Sequence, residues 1–192
     1  MVASGIQEII LIAQDTVSYG TDLSGKSELF PLLKAIETIP GDFTYRLLYL
    51  YPDLLSIQNL QQLAKSKKFI PYFDIPLQHI SSPLLKRMGR FYNEEKIYEL
   101  LKYIKKNFPT HLIRTNFIIG FPGETEQDHK KLLAFIQEGR CDNIALFEYH
   151  DEPLAASSKL DQKVDDATMR KRFTQARQLV NRQLLAREER RK

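Results

Sequence analysis

The sequence predicts an α/β protein in which parallel strands alternate with helices. Strand signals come from short apolar runs at residues 8–15, 45–52, 72–79, 111–121 and 143–150, and segments with helical spacing lie between them. This alternation indicates parallel strands joined by right-handed crossovers. The runs are rich in Leu, Ile, Tyr and Phe with little strict alternation, which is typical of strands covered on both faces.

Each helix has a local signal of its own. Ser27 can cap the first predicted helix, residues 27–39, which Pro40 and Gly41 end. The other predicted helices are residues 56–65, one opened by Ser82-Pro83, one opened by Asn93, and one that a capping-box pattern starts at Thr125 and that ends near Gly139.

Two architectures fit this order, a β/α barrel and an open doubly wound sheet. The sequence has neither a dinucleotide-binding glycine pattern after the first strand nor a Gly-Lys-Ser/Thr phosphate loop, so we expect a barrel, partial or complete. The irregular acidic stretch between His150 and Thr168 predicts a loop over one mouth of that barrel. We assign residues 1–167 to the barrel and residues 168–192 to a C-terminal helix of the same domain.

Composition narrows the class of protein. A length of 192 residues fits one domain, with 43% hydrophobic and 27% charged residues, which is ordinary for a soluble globular protein. No apolar run approaches the roughly 18 residues that cross a bilayer, and the first residues have no signal-peptide pattern, so we expect no membrane. One cysteine cannot form an internal disulfide, which favours a reducing, cytoplasmic setting.

The C-terminal helix is basic, and the chain has a net charge of +4. Its apolar residues recur at spacings of three and four and form one stripe, namely Met169, Phe173, Ala176, Val180 and Leu184. One interpretation is a docked amphipathic helix with a solvated basic face. The other is a contact between that face and RNA or a partner that carries nucleic acid.

Polar residues at the carboxyl ends of predicted strands indicate a binding site, because ligands bind there in parallel α/β proteins. Asp15, Asp74 and Glu124 can accept hydrogen bonds from an amine or from ribose hydroxyls, and Arg114 can clamp a carboxylate. Gly120 lets backbone approach a ligand closely. Structural roles are the alternative: Asp74 would satisfy loop N–H groups, Arg114 would pair inside the barrel, the Gly-Pro-Gly sequence is a common turn, and His79 fits a hydrogen-bonded loop histidine.

Four segments of the sequence resemble those of a known family. They are IILIAQDTVSYGTDL, RLLYLYP, DIPLQHISSPLLKRMGR and RTNFIIGFPGET with the Glu-Gln-Asp that follows. Together they are similar to the radical S-adenosylmethionine methylthiotransferases over nearly the whole chain. The segment Gln78-His79-Ile80-Ser81 resembles the branch that methylthiolates an aspartate of a small-subunit ribosomal protein. The tRNA-modifying branch, which usually carries Gln-Ser-Gly-Ser there, is the second alternative.

The resemblance implies cofactor-binding residues and no catalytic or metal-ligating side chain within this sequence. By position, Gln14 and Asp15 would hold the amino end of S-adenosylmethionine, and Arg114 its carboxylate. The strand from Asn116 would lie beside the adenine, although Asn116 replaces the family's first glycine and Glu124 falls one place late. The implied cofactor-binding residues are Gln14, Asp15, Asp74, Pro76, Gln78, Arg114, Ile118, Gly120 and Glu124.

The family also uses [4Fe-4S] clusters, held by a Cys-x-x-x-Cys-x-x-Cys motif upstream of the stretch that begins at Glu8 and by further N-terminal cysteines. This sequence has one cysteine, Cys141. The resemblance therefore implies a fragment that covers five of six strands of a partial β/α barrel, with the first strand missing, and that does not turn over alone. The implied partner is a ribosomal protein substrate.

Two functions from other classes stay open. A β/α-barrel hydrolase or aldolase would use the strand-end carboxylates Asp15, Asp74 and Glu124 with His79 for acid–base work or metal binding. A non-catalytic module would instead dock its basic helix on a ribosomal partner.

Overall fold

The computed structural model describes residues 2–191. The strands it contains are β1 (Glu8–Leu11), β2 (Thr44–Leu47), β3 (Phe69–Asp74), β4 (Leu112–Ile119) and β5 (Asn143–Glu148). The helices it contains are α1 (Thr21–Ser24), α2 (Leu29–Thr38), α3 (Ile57–Leu63), α4 (Ser82–Arg87), α5 (Glu94–Asn107), α6 (Glu126–Gln137) and α7 (Asp166–Arg191). Two short 3-10 helices lie at Val2–Ser4 and Ala156–Lys159.

The strands follow one another in the order β1-β2-β3-β4-β5 in one sheet. The pairs β1–β2, β2–β3 and β4–β5 are parallel. A sequential parallel order is that of a β/α barrel, whereas a doubly wound sheet reverses its order at a switch point. The predicted α/β fold with barrel-type strand order is therefore confirmed.

The chain divides into two compact units. The first runs up to Pro76 and includes Tyr98–Ile113. Its core is aromatic: Phe73 is fully buried and meets Phe108 edge-on, with ring centroids 4.8 Å apart and an interplanar angle of 71°. Such edge-to-face pairs add to the burial of the rings themselves.

The second unit consists of Leu77–Ile97 and the chain from Arg114 onward. Its core includes Phe117 and Phe135, whose ring centroids lie 5.8 Å apart. The long helix α7 packs on α6 and β5, and its Ala176 is fully buried. Within the described residues, no helix combines the length and apolar character that a membrane span needs.

The prediction that the strands are covered on both faces is wrong for β1 and β5, whose residues are exposed or half-buried, and for one face of β4. Its residues alternate between half-buried and buried along the whole strand. Thr115 and Phe117 lie on the buried side, whereas Arg114, Asn116 and Ile118 lie on the half-buried side. In the sequence, the apolar run of β4 looks continuous because large aliphatic residues precede and follow Arg114 and Asn116. This open face is where polar ligands can reach the strand.

The predicted strands are too long at their carboxyl ends. β1 ends at Leu11, so Asp15 lies in a loop, and β3 ends at Asp74. Pro76 has no N–H to donate, and Gln78 returns to the sheet only as an isolated bridge to Phe117. Asp15, Pro76 and Gln78 therefore follow the strands, whereas Asp74 is the last residue of β3.

Helix starts are closer to prediction. Ser56 and Thr125 are the N-caps of α3 and α6, each with a reciprocal capping box. Ser27 is not the N-cap of α2: Glu28 holds that position, and the Ser27 hydroxyl donates to the Val17 carbonyl at 2.5 Å.

Candidate functional site

In the first unit, Gln14 and Asp15 lie in the loop that follows β1. Gln14 is exposed and Asp15 is half-buried. The Asp15 Oδ1 accepts a hydrogen bond from the Val17 N–H at 3.0 Å. Burial raises the pKa of the Asp15 carboxyl, and the N–H groups that it accepts from oppose that shift. A cationic ligand would stabilise the ionised form of the Asp15 carboxyl.

Asp74 shapes the loop after β2. It is 2% exposed, and its Oδ2 accepts the Tyr49 N–H at 3.1 Å while its carbonyl accepts the Leu50 N–H at 2.8 Å. This observation fits the structural alternative for Asp74, because the carboxylate satisfies a loop N–H group. Pro76, two residues further on, is buried.

Tyr49 is a residue that the sequence analysis missed. Its φ of 56° lies in the left-handed region, and its carbonyl accepts the Thr16 N–H at 3.1 Å. For a residue with a Cβ this conformation costs about 1–2 kcal/mol. Glycine or asparagine usually signals such a position, so nothing in the sequence marked Tyr49. Strained backbone of this kind clusters at binding sites.

In the second unit, Gln78 lies near the start of the unit and is hydrogen-bonded to β4. Its φ is 60°, it is 6% exposed, and its N–H and C=O groups bond Asn116 and Ile118 at 3.0 and 2.9 Å. The Asn116 side-chain amide also donates to the Gln78 Oε1 at 3.2 Å. Asn116, which stands where the family has a glycine, therefore holds the side chain of Gln78 in place.

The half-buried face of β4 carries Arg114, Asn116 and Ile118. Ile118 is the register partner of Phe147 on β5, so both side chains point to the same side of the sheet. Phe147 is 53% exposed, which is high for an aromatic ring. Ile118 and Phe147 thus form an apolar surface that suits a planar base, and Phe147 was not among the predicted residues.

Gly120 and Glu124 form one hydrogen-bonded turn. Gly120 has a φ of 82°, and its N–H donates to the Glu124 Oε2 at 2.5 Å. Glu124 is 5% exposed, and its Oε1 accepts from the Arg172 Nη1 at 3.2 Å. Burial raises the pKa of the Glu124 carboxyl, whereas the Gly120 N–H and Arg172 lower it. Both oxygens of Glu124 therefore have donors within the protein, which favours a structural role.

His79 is fully buried beside this turn. Its Nδ1 accepts the Ser81 N–H at 3.0 Å, and burial lowers its pKa from 6.5 to about 3. A neutral, fully buried ring of this kind fits the hydrogen-bonded loop histidine that the sequence left open. It does not fit a general acid that must reach a substrate.

An iron–sulfur cluster does not fit the residues of this chain. Such clusters are held by several cysteine thiolates, and the sequence has one cysteine, Cys141, which is 1% exposed. Across residues 2–191, no group of three or more His, Cys, Asp or Glu side chains is arranged to hold a metal ion.

The sequential order of the parallel strands defines a β/α protein, and polar groups lie at the carboxyl ends of its strands. The radical SAM superfamily model matches residues 3–136, and the chain belongs to that superfamily. The predicted resemblance is also confirmed by curated relatives. One, "Ribosomal protein uS12 methylthiotransferase RimO" of Pseudothermotoga lettingae, is 43% identical over 173 residues, which are 90% of this chain and 40% of that protein.

A relative of the same name from Dictyoglomus thermophilum is 42% identical over 90% of this chain and 39% of that protein. The chain thus spans about 40% of the length of these relatives. Among solved structures, the radical S-adenosylmethionine methyltransferase TsrM from Kitasatospora setae, with cobalamin and a [4Fe-4S] cluster bound, has a TM-score of 0.59. The match covers 77% of this chain and 28% of TsrM at 16% sequence identity, so it supports the fold alone.

Proposed function

We propose that this chain is the S-adenosylmethionine-binding part of a radical methylthiotransferase that modifies an aspartate of ribosomal protein uS12. The observation that carries the proposal is the 43% identity, over 90% of the chain, to a protein of that name. The segment Gln78-His79-Ile80-Ser81, which resembles the protein-modifying branch, supports it. A cytoplasmic location is part of the proposal, since it follows from a ribosomal substrate.

Each unit by itself carries side chains that suit a chemical group of S-adenosylmethionine. In the first unit, Gln14 and the half-buried Asp15 would accept hydrogen bonds from an ammonium group. In the second unit, taken separately, Arg114 would bind a carboxylate, and the apolar surface of Ile118 and Phe147 would contact an adenine ring. Asp74, Pro76, Gln78, Gly120 and Glu124 would act by holding the loops and turns around these groups.

The intact family reaction takes its reactivity from S-adenosylmethionine and its clusters, and the protein supplies binding and orientation. The roles assigned to this chain are therefore to bind the cofactor, to orient it and to exclude water from it. Because these 192 residues hold one cysteine, we expect no reductive cleavage of S-adenosylmethionine by this polypeptide alone.

Calorimetric titration of the chain with S-adenosylmethionine tests the proposal. We expect binding, and about tenfold weaker binding by Asp15→Asn, because the amide cannot form a charge-assisted bond with the ammonium. Asp22→Asn, an exposed acid in α1, is the matched control and should bind as the parent does. A parent chain that does not bind, or an Asp15→Asn variant with unchanged affinity, contradicts the assignment.

The substrate is tested separately, because the tRNA-modifying branch is the nearest alternative. Immobilised chain is incubated with purified uS12 and, in a parallel experiment, with unmodified tRNA. We expect retention of uS12 and none of tRNA, and the reverse result would favour the tRNA branch. A hydrolase or aldolase is disfavoured by the burial of His79, which removes its proposed acid–base group from solvent.

A further inference from the structure

The first half of α7 contacts the turn that follows β4. Arg172 on α7 is 7% exposed, and its Nη1 donates to the Glu124 carbonyl at 2.9 Å and to the Glu124 Oε1 at 3.2 Å. A guanidinium that bonds both the backbone and the carboxylate of one residue fixes that residue in position and orientation. The helix therefore holds Glu124 from one side.

Glu124 passes this constraint to Gly120. The Glu124 Oε2 accepts the Gly120 N–H at 2.5 Å, and the Glu124 N–H closes the turn on the Phe121 carbonyl at 2.9 Å. A Cβ atom on Gly120 would lie 2.5 Å from the Met169 Cγ, so α7 also packs directly against this glycine. One helix thus contacts the turn at both of its ends.

A second set of polar contacts connects α7 with the segment that follows β3. On α7, the Gln175 Oε1 lies 2.9 Å from the His129 Nε2 of α6. Asp128, beside His129, is hydrogen-bonded by the Ser81 hydroxyl. The Ser81 N–H donates to the His79 Nδ1 at 3.0 Å. The segment that follows β3, which carries Gln78, is therefore also connected to α7, through partly buried groups.

We propose that Arg172 is a positioning residue for the cofactor pocket and acts through Glu124 on the Gly120 turn. This inference rests on the proposed function, because it assigns the turn to the cofactor side. We assign Arg172 an indirect role because its Nη1 bonds Glu124 and its Nη2 lies 3.7 Å from the Glu126 Oε2. Loss of the guanidinium leaves a buried carboxylate without its cation, so the turn loses its fixed conformation.

Hydrogen exchange of backbone amides in the full chain tests this role. In Arg172→Met we expect the Gly120 amide to exchange at least about tenfold faster, while peptides from α5 exchange as before. Arg172→Lys should restore part of the protection, because it keeps the charge but not the forked donation. The matched control is Arg182→Met, an exposed arginine of the same helix, which should behave as the parent does.

Titration with S-adenosylhomocysteine, which carries no reactive sulfonium, gives the second readout. We expect the dissociation constant to rise about tenfold in Arg172→Met and to stay unchanged in Arg182→Met. If the parent does not bind, the proposed function fails for this chain, while the exchange measurement still decides the positioning role. Unchanged Gly120 exchange in a folded Arg172→Met, or unchanged affinity beside parent binding, overturns the inference.

Circular dichroism establishes that the variants are folded. Should Arg172→Met fail to fold, Glu124→Gln examines the same contact with nearly the same shape and without the negative charge. It weakens both the bond from Arg172 and the bond from Gly120. We expect faster Gly120 exchange in Glu124→Gln as well, and parent-like protection there would also overturn the inference.

Discussion

His79 makes the free energy of unfolding depend on pH below neutrality. Burial lowers its pKa to about 3, with His129 and Arg172 acting in the same direction and Asp128 opposing them. The folded state therefore excludes a proton that the unfolded state binds below about pH 6.5. Because the unfolded state binds more protons between these two values, stability falls as the pH falls through that window.

From pH 7.5 to pH 5.5, we expect His79 to lower the free energy of unfolding by about 1.4 kcal/mol. Urea denaturation at both pH values measures this for the parent, for His79→Gln and for His150→Gln. The drop should be smaller by that amount in His79→Gln and unchanged in His150→Gln, whose ring is exposed. The parent and His79→Gln have all their other titrating groups in common. An equal drop in the parent and in His79→Gln would contradict the assignment.

Tyr49 gives a second prediction at the scale of one residue. Because its φ is 56°, glycine should be tolerated better than alanine there. We expect Tyr49→Gly to be more stable than Tyr49→Ala by about 1 kcal/mol in urea denaturation. At Tyr19, an exposed residue outside the left-handed region, the same pair should show no advantage for glycine. Alanine equal to or better than glycine at position 49 would count against the strained conformation.

At the scale of elements, α7 holds the connection between α6 and β5. Arg187 donates from its Nη2 to the Gly139 and Cys141 carbonyls at 3.3 and 2.6 Å, and its Nη1 lies 3.4 Å from the Asp142 Oδ1. These bonds satisfy backbone oxygens of the short segment that follows α6.

We expect Arg187→Met to lower the free energy of unfolding by about 1–2 kcal/mol, since the carbonyls lose charged donors. Arg182→Met removes an exposed arginine of the same helix and should change stability by less than about 0.5 kcal/mol. Thermal and urea denaturation of both variants make the comparison. Equal effects of the two substitutions would show that the bonds from Arg187 to the two carbonyls contribute nothing to stability.

The outer face of α7 remains basic in the folded protein. Lys171, Arg177 and Arg182 are exposed, but Leu184, which the pattern placed on the apolar stripe, is also 50% exposed. Exposed cations fit both a solvated face and a contact with RNA. The RNA contact therefore stays a prediction.

At the scale of the whole molecule, periodicity and turn residues were enough to predict the order and type of the main elements. Bounds were less accurate where apolar residues continue past the last ladder bond, as in the segments that follow β1 and β3. The four-residue helix α1 was missed because so short a segment has no periodic signal. Capping boxes at Ser56 and Thr125 were readable because their geometry is local.

Candidate site residues were predicted only where their chemistry is local in the sequence. Asp15 and Asp74 follow apolar runs and were predicted from that placement. The partner of Glu124 was not found, because Arg172 lies 48 residues further along the chain and looked like one more cation of a basic helix. Contacts between distant residues depend on tertiary packing, which no local pattern records.

The packing of Met169 and Arg172 against the Gly120 turn bears on how this polypeptide can be shortened or recombined. A cut at residue 168 looks natural because the basic helix resembles an appendage. It would remove the side chain that fills the space beside Gly120 and the cation that faces Glu124. Chimeras that exchange barrels between relatives should therefore take α7 and the turn after β4 from the same parent protein.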